Sequence, residues 1–304
     1  MIFYRVLSAL IVMLGVSTIT FALLHAVPGD PVEVMLGESA SVADRAALRA
    51  DLGLDQPIPQ QWLAFQRDLV RLDFGQSLYS KKPIVDLLAE RAPWTAGLAF
   101  VSLVIALLIA IPLGTIAALK VGTGFDALSS SLSLLGVSVP NFLFGPLLII
   151  IFSIWLGWFP TSGNEGLKSI VLPAITLGTS LAAILSRMIR ASLLDVLSEE
   201  YVVAARARGL SKFQVLVRHV YPNAALPVLT VVGLQLGALL GGAVITEIIF
   251  AWPGVGQLLI EGIQRRDYPV VQACVLVVSF VYVGVNMLTD IAYSHVDPRI
   301  NFDE

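Results

Sequence analysis

Along this chain, apolar runs long enough to cross a membrane alternate with polar islands. The first run, Val6 to Val27, holds roughly 22 apolar or small residues, enough at about 1.5 Å per residue to span a hydrocarbon core of about 30 Å. Comparable runs follow at about 97–119, 131–156, 169–190, 226–249 and 270–293, so the pattern predicts six transmembrane helices. A cleaved signal peptide is the alternative for the first run. It is disfavoured because the run is long, only Arg5 precedes it, and no small-x-small cleavage site follows. PGDP at Pro28 to Pro31 then breaks the helix. Pro112, Pro140, Pro146 and Pro173 lie in or beside later spans, which membrane helices tolerate where neighbours satisfy the freed carbonyls. Trp155 and Trp158 mark an interface, and Gly237 and Gly241 stand at GxxxG spacing in the fifth span. That spacing serves either packing within the bundle or an interface with a second chain.

Residues 28–93 form the one sizeable extramembrane segment, and its punctuation is helical. Ser41 caps a helix ending at Gly53, a second runs from Pro59 to about Leu72, and Pro83 opens a third that ends before Pro93 and Trp94. Trp62, Phe65, Leu69 and Leu72 make the second amphipathic. A further amphipathic piece, from about Gln257 to Ile263, sits in the connection before the sixth span.

The other island, residues 195–225, reads as two short helices joined by a sharp turn. Ser198 is placed as N-cap of the first, and Gly209 ends it, because the left-handed residue after a helix favours glycine. Ser211 and Gln214 have capping-box spacing for the second, which Pro222 closes. Tyr201, Ala204, Ala205 and Arg208 share one face of the first helix; Phe213, Leu216, Val217 and Val220 share one face of the second. A small, alanine-lined knob with cations at Arg206, Arg208 and Lys212 is expected.

Composition narrows the class without changing this picture. A chain that is 57% hydrophobic and 13% charged, with mean hydropathy +0.84, has no ordinary soluble surface. The net charge of −3 argues against nucleic-acid binding, which a soluble helix-turn-helix reading of the knob would require. One cysteine, Cys274, permits no intrachain disulfide, and three scattered histidines offer no metal site. No GxxxxGK[ST] occurs, so a phosphate cradle must belong to another polypeptide. Glu247 and Asp290 lie near span ends, where snorkelling or capping is the expected role.

Charge also orients the chain. With a cytoplasmic N-terminus, the inside carries Arg5, Lys120, Arg187, Arg190, Arg206, Arg208, Lys212, Arg218 and Arg299; the short outside loops carry Lys168, Arg265 and Arg266. The first loop is long enough to translocate largely regardless of charge, although Lys81, Lys82 and Arg91 stand close to the second span and oppose the rule.

Two alanines, three residues, a glycine and twelve residues to a proline, here Ala204, Ala205, Gly209 and Pro222, resemble the cytoplasmic EAA loop of ABC importer permeases. Val203 stands where many families have the glutamate, and Tyr221 where they have leucine. PGDP, LGLDQPIPQQW, DFGQS, VPNF, ARARGL, NAALP, EIIFAWPGVG, RRDYP and DPRI extend the likeness over nearly the whole chain, to the dipeptide/oligopeptide (peptide/nickel) group. The resemblance implies an all-α integral membrane fold of six transmembrane helices, with a helical extracytoplasmic first loop and a cytoplasmic coupling loop. It implies a permease subunit of a bacterial cytoplasmic membrane, with both termini cytoplasmic. The implied partners are a second permease, two ABC ATPase subunits that hold the ATP and Mg, an extracytoplasmic solute-binding protein and membrane lipid; no cofactor sits on this chain. Coupling to the ATPase is expected at Tyr201, Ala204, Ala205, Arg206, Arg208, Gly209, Leu210, Lys212 and Pro222. Asn141, Gln235 and Asn286 are the candidate pathway residues, and di- or oligopeptides the expected solute, with nickel, glutathione or another small solute as the alternative. A secondary transporter would show inverted repeats and midplane carboxylates, and a membrane enzyme a nucleophile–base or metal constellation; neither pattern is present.

Overall fold

The computed structural model describes residues 2–26, 32, 41–51 and 54–296. Among them every regular element is helical, apart from one isolated antiparallel bridge between Gln76 and Pro83. Five helices are long and apolar enough to cross a membrane, six if one sharply bent pair counts as a single span. The PGDP turn, Gly53 and DPRI lie outside the described residues. The chain divides into two units, one of Met1–Ile2, Ala96–Trp252 and Gly284–Glu304, the other of Phe3–Thr95 and Pro253–Val283.

In the second unit, α1 (Ile2–Ala26), α2 (Val42–Asp51) and α3 (Ile58–Val70) precede α4 (Ile84–Leu119), which passes into the first unit at Ala96. The half-buried face of α3 carries Trp62, Phe65 and Leu69 as its periodicity predicts, but Leu72 is exposed, beyond the helix and at φ +58°. α3 meets α1 through polar contacts as well as Phe21 and Phe65. Trp62 Nε1 donates to Thr18 Oγ1 at 3.1 Å, and Gln66 donates to Ser17 at 2.9 Å. Pro93 does not end a helix, contrary to the pattern. α4 runs unbroken for 36 residues, about 54 Å, so its first turns project beyond a bilayer core. Ile84 and Leu88 anchor them in a core with Val255, Leu258, Val270 and Cys274, which outweighs the one donor that Pro93 lacks.

The first unit continues with α5 (Gly124–Ser138) and α6 (Asn141–Leu148), the latter extended by a π-helical stretch over Ile149–Trp155. The run expected as one span at 131–156 is therefore broken, and its halves are bent by 103°. Pro140 is the cause: it drives Val139 out of the helical region, to φ −87° and ψ 113°. α7 (Val171–Leu197) is longer than the predicted 169–190 and is the central helix of this unit, with Leu177, Leu181, Leu185, Ile189 and Leu193 all buried at helical spacing. Then come α8 (Glu200–Ala207), α9 (Lys212–Val215), a π turn over Leu216–Val220, and α10 (Tyr221–Ile249). α11 (Val255–Gln264) and α12 (Tyr268–Val296) complete the chain, α11 and the part of α12 up to Val283 belonging to the second unit. In α10 the close approach is at Gly233, where an added Cβ would lie 2.0 Å from Thr289 Cγ2; Gly241 has nothing within 4 Å and is exposed. Of the GxxxG pair, Gly237 is buried and only Gly241 faces open space. Glu247 is 0% exposed, so it does not snorkel.

Candidate functional site

The knob is built from α8, a turn and α9. Ser198 does not cap α8: it follows α7, its hydroxyl donates to the Asp195 carbonyl at 2.7 Å, and Glu199 occupies the N-cap position. Gly209 has φ +82°, a conformation that costs other residues about 1–2 kcal/mol. At α9 both halves of the capping box form, Ser211 Oγ accepting from Gln214 N–H and Gln214 Oε1 accepting from Ser211 N–H at 3.0 Å.

Pro222 does not close the second helix. The π turn over Leu216–Val220 immediately precedes it, the chain passes through without a break into α10, and the Asn223 amide donates to the His219 carbonyl at 2.7 Å. The knob's second half and the fifth apolar helix are one rod from Lys212 to Ile249.

That π turn also decides which face points inward. Val202, Ala205, Val215 and Val220 are buried in the core that contains Leu193, each valine worth about 1.5–3 kcal/mol against exposure. Phe213 and Val217, expected to share a face with Val220, are instead 74% and 43% exposed, because the wide turn shifts the helical register between them. Outward-facing positions are Tyr201, Ala204, Arg206, Arg208, Gly209, Lys212 and Phe213, whereas Ala205 is buried and Leu210 half-buried. Partial burial first, and the Glu199 carboxylate second, push the Tyr201 phenol above its ordinary range, so it presents a neutral hydroxyl. An exposed Phe, Tyr and Val203 among cations form an apolar patch with a charged rim, the anatomy of a protein-binding surface.

Two polar clamps, neither evident from spacing, fasten the helices of the first unit. Arg190 on α7 grips Asp126 of α5 in a bidentate pair at 2.8 and 2.9 Å, and Asp126 also accepts from Gly122 N–H at 3.1 Å. The Tyr221 and Thr115 hydroxyls share a hydrogen bond at 2.7 Å, tying the rod to α4. Asp126 gave no sequence signal beyond its place in a first helical turn, and its partner is 64 residues away.

The three candidate pathway residues do not hydrogen-bond to one another among the described residues. Asn141 is half-buried at the start of α6, its Oδ1 accepting from Ser180 at 2.5 Å, so it fastens the broken span to α7. Gln235 is half-buried on α10. Asn286 is half-buried on α12, with a buried Oδ1 that has no hydrogen-bond partner among the described residues. Those residues contain no group of three or more His, Cys, Asp or Glu side chains that could hold a metal ion.

The fold is shared with solved transporters. The chain resembles an inward-facing MetNI methionine ABC transporter at TM-score 0.61 and 19% identity, over 71% of this chain and 99% of that one. It resembles an amino acid ABC transporter at TM-score 0.53 and 16% identity, over 71% and 95%. In sequence it is 39% identical over 298 residues to the glutathione transport system permease protein GsiC of Escherichia coli strain K12, covering 98% of this chain and 97% of that protein. The same figures hold for GsiC of Shigella dysenteriae serotype 1. Residues 1–99 match the N-terminal model of binding-protein-dependent transport system membrane components, and residues 110–302 match the inner membrane component itself. With both models together spanning nearly the whole length, the chain belongs to the binding-protein-dependent transport system inner membrane components, as a multi-pass permease subunit of an ABC importer.

Proposed function

We propose that this permease forms the translocation path for di- and oligopeptides, driven by ATP hydrolysis on two separate ABC ATPase subunits that hold ATP and Mg. A second permease subunit completes the path, an extracytoplasmic binding protein delivers solute, and both termini are cytoplasmic. The observation that carries the coupling part is the rod from Lys212 to Ile249: a knob whose outer face offers Phe213, Tyr201 and cations is continuous with a helix of membrane-crossing length. When the ATPase pair closes, a cleft seated on that face moves the knob. The rod then transmits the displacement as a rigid body, converting inward to outward access. Arg206, Arg208 and Lys212 pair with carboxylates of the cleft, and Ala204 permits close seating.

The solute reading rests on the chemistry of the path. Peptides vary in side chain, so their permease needs scattered neutral polar groups such as Gln235 and Asn286, with selectivity left to the binding protein. Glutathione, itself a modified tripeptide, is the second reading, favoured by the relatives that carry its name. Competition uptake in a deletion strain, with labelled dipeptides, longer peptides, glutathione and nickel, separates these. Loss of dipeptide and oligopeptide uptake is expected; loss of glutathione or nickel uptake alone, in a strain with no redundant peptide importer, overturns the peptide assignment.

A further inference from the structure

Within the second unit, α1, α11 and α12 enclose a groove of about 370 Å³. Its walls are mostly apolar: Leu23 of α1 and Ile263 of α11 line it and remain 62% and 52% exposed, and Val275 lines it further along α12. The groove follows α12 from Tyr268 to Val275, about 10 Å or two turns. Thr20 lines it too, but its hydroxyl is spent on the Val16 carbonyl at 2.8 Å.

Besides the hydroxyls of Thr20 and Tyr268, two nitrogen donors interrupt this apolar lining. Arg266 lines the groove, exposed, with no ion pair among the described residues. Gln272 lines it deeper along α12, and its buried Nε2 has no hydrogen-bond partner among the described residues. More positive charge is held nearby along the chain. Asp267, only 3% exposed, accepts from Ser77 Oγ at 2.5 Å, Leu78 N–H at 3.0 Å and Tyr79 N–H at 3.2 Å, which fastens the loop carrying Lys81 and Lys82 to the Arg265–Arg266 turn. Arg265 stacks on the Tyr79 ring at 4.3 Å. Asp267 thereby spends its oxygens on internal donors, while Lys81, Lys82, Arg265 and Arg266 around it are exposed.

From these features we infer that the groove is a binding site for one anionic phospholipid. An acyl chain lies between α1 and α12, the Gln272 amide donates to an ester carbonyl, and the phosphate sits on Arg266 with Lys81, Lys82 and Arg265 in its field. Such a molecule meets every group noted: apolar walls take the chain, an acceptor meets the orphan donor, and an anion meets the cations. The site also accounts for Lys81 and Lys82, two of the cations beside the second span that oppose the positive-inside pattern; the third, Arg91, pairs with Glu261 at 3.8 Å. The inference needs only that the chain is embedded in a membrane, which its family membership shows, and is independent of the solute carried.

The test is native mass spectrometry of the importer, with whatever subunits co-purify, after reconstitution in nanodiscs of phosphatidylglycerol and phosphatidylcholine with identical acyl chains. Wild type is expected to retain phosphatidylglycerol preferentially. Arg266→Gln lowers that preference roughly fivefold, the worth of one cation near an anionic lipid surface, and Arg266→Lys restores it. Leu23→Trp, at an exposed position, fills the groove and lowers retention of both lipids. Equal retention of the two lipids by wild type overturns the proposal, as does retention unchanged by Leu23→Trp. If Arg266→Gln leaves lipid retention unchanged but weakens attachment of the solute-binding protein, the cationic cluster is a protein-docking surface and the lipid site is wrong.

Discussion

Gly209 shows how much one backbone angle decides in this molecule. An added Cβ there meets nothing within 4 Å, so a larger residue is excluded by conformation and not by crowding. With φ at +82°, valine costs about 1–2 kcal/mol, and the turn relieves that cost by re-aiming α9. Gly209→Val is therefore expected to insert and assemble while solute uptake in cells falls at least several-fold. Wild-type uptake in a strain with normal ATPase attachment would remove this loop from the coupling role. At the same scale, Asp126 and Arg190 show what spacing hides. Arg190 is legible as a cation near the end of a span, yet its geometry is set by a carboxylate on another helix that no local pattern points to.

Among elements, the π turn over Leu216–Val220 has the widest effect. It lets a proline sit inside a continuous helical path, and it turns Phe213 outward while keeping Val215 and Val220 in the core. A rod transmits displacement only while it is stiff. Inserting two glycines between Val220 and Tyr221 leaves the knob's outer face intact but adds a flexible joint. In proteoliposomes this variant is expected to hydrolyse ATP with little coupled uptake, so the ratio of solute moved to ATP consumed drops by about tenfold or more, the loss expected when a two-state element is disconnected. A ratio equal to wild type means that force reaches the membrane helices by another route.

For the molecule as a whole, the knob presents apolar side chains to solvent outside the apolar spans. Phe213, 74% exposed next to Lys212, is suited to be an anchor in a partner's pocket. Phe213→Ser removes no buried contact from this chain, so expression and membrane insertion are expected to persist while co-purification of the ATPase subunits falls by about tenfold or more, the range for an interface anchor. Undiminished co-purification would place the docking surface elsewhere.

Much of this was legible in the chain itself, for a physical reason: lipid imposes length and apolarity on each span separately, so the class and the number of apolar runs follow from local composition. The Gly209 turn and the Ser211–Gln214 cap were legible too, because both depend on near neighbours. Where helices end was less so. Pro93 and Pro222 read as stops, but packing of Ile84 and Leu88 carries α4 through one, and a π turn carries the rod through the other. At Pro140 the break did occur, and it divided a run that composition alone reads as continuous. Only the tertiary structure decided the contacts between distant residues: the Asp126–Arg190 clamp, the Asn141–Ser180 fastening, and Asp267 gathering the 77–79 loop from about 190 residues away. Those depend on which helix faces which, and periodicity within one helix carries no information about the neighbour it meets.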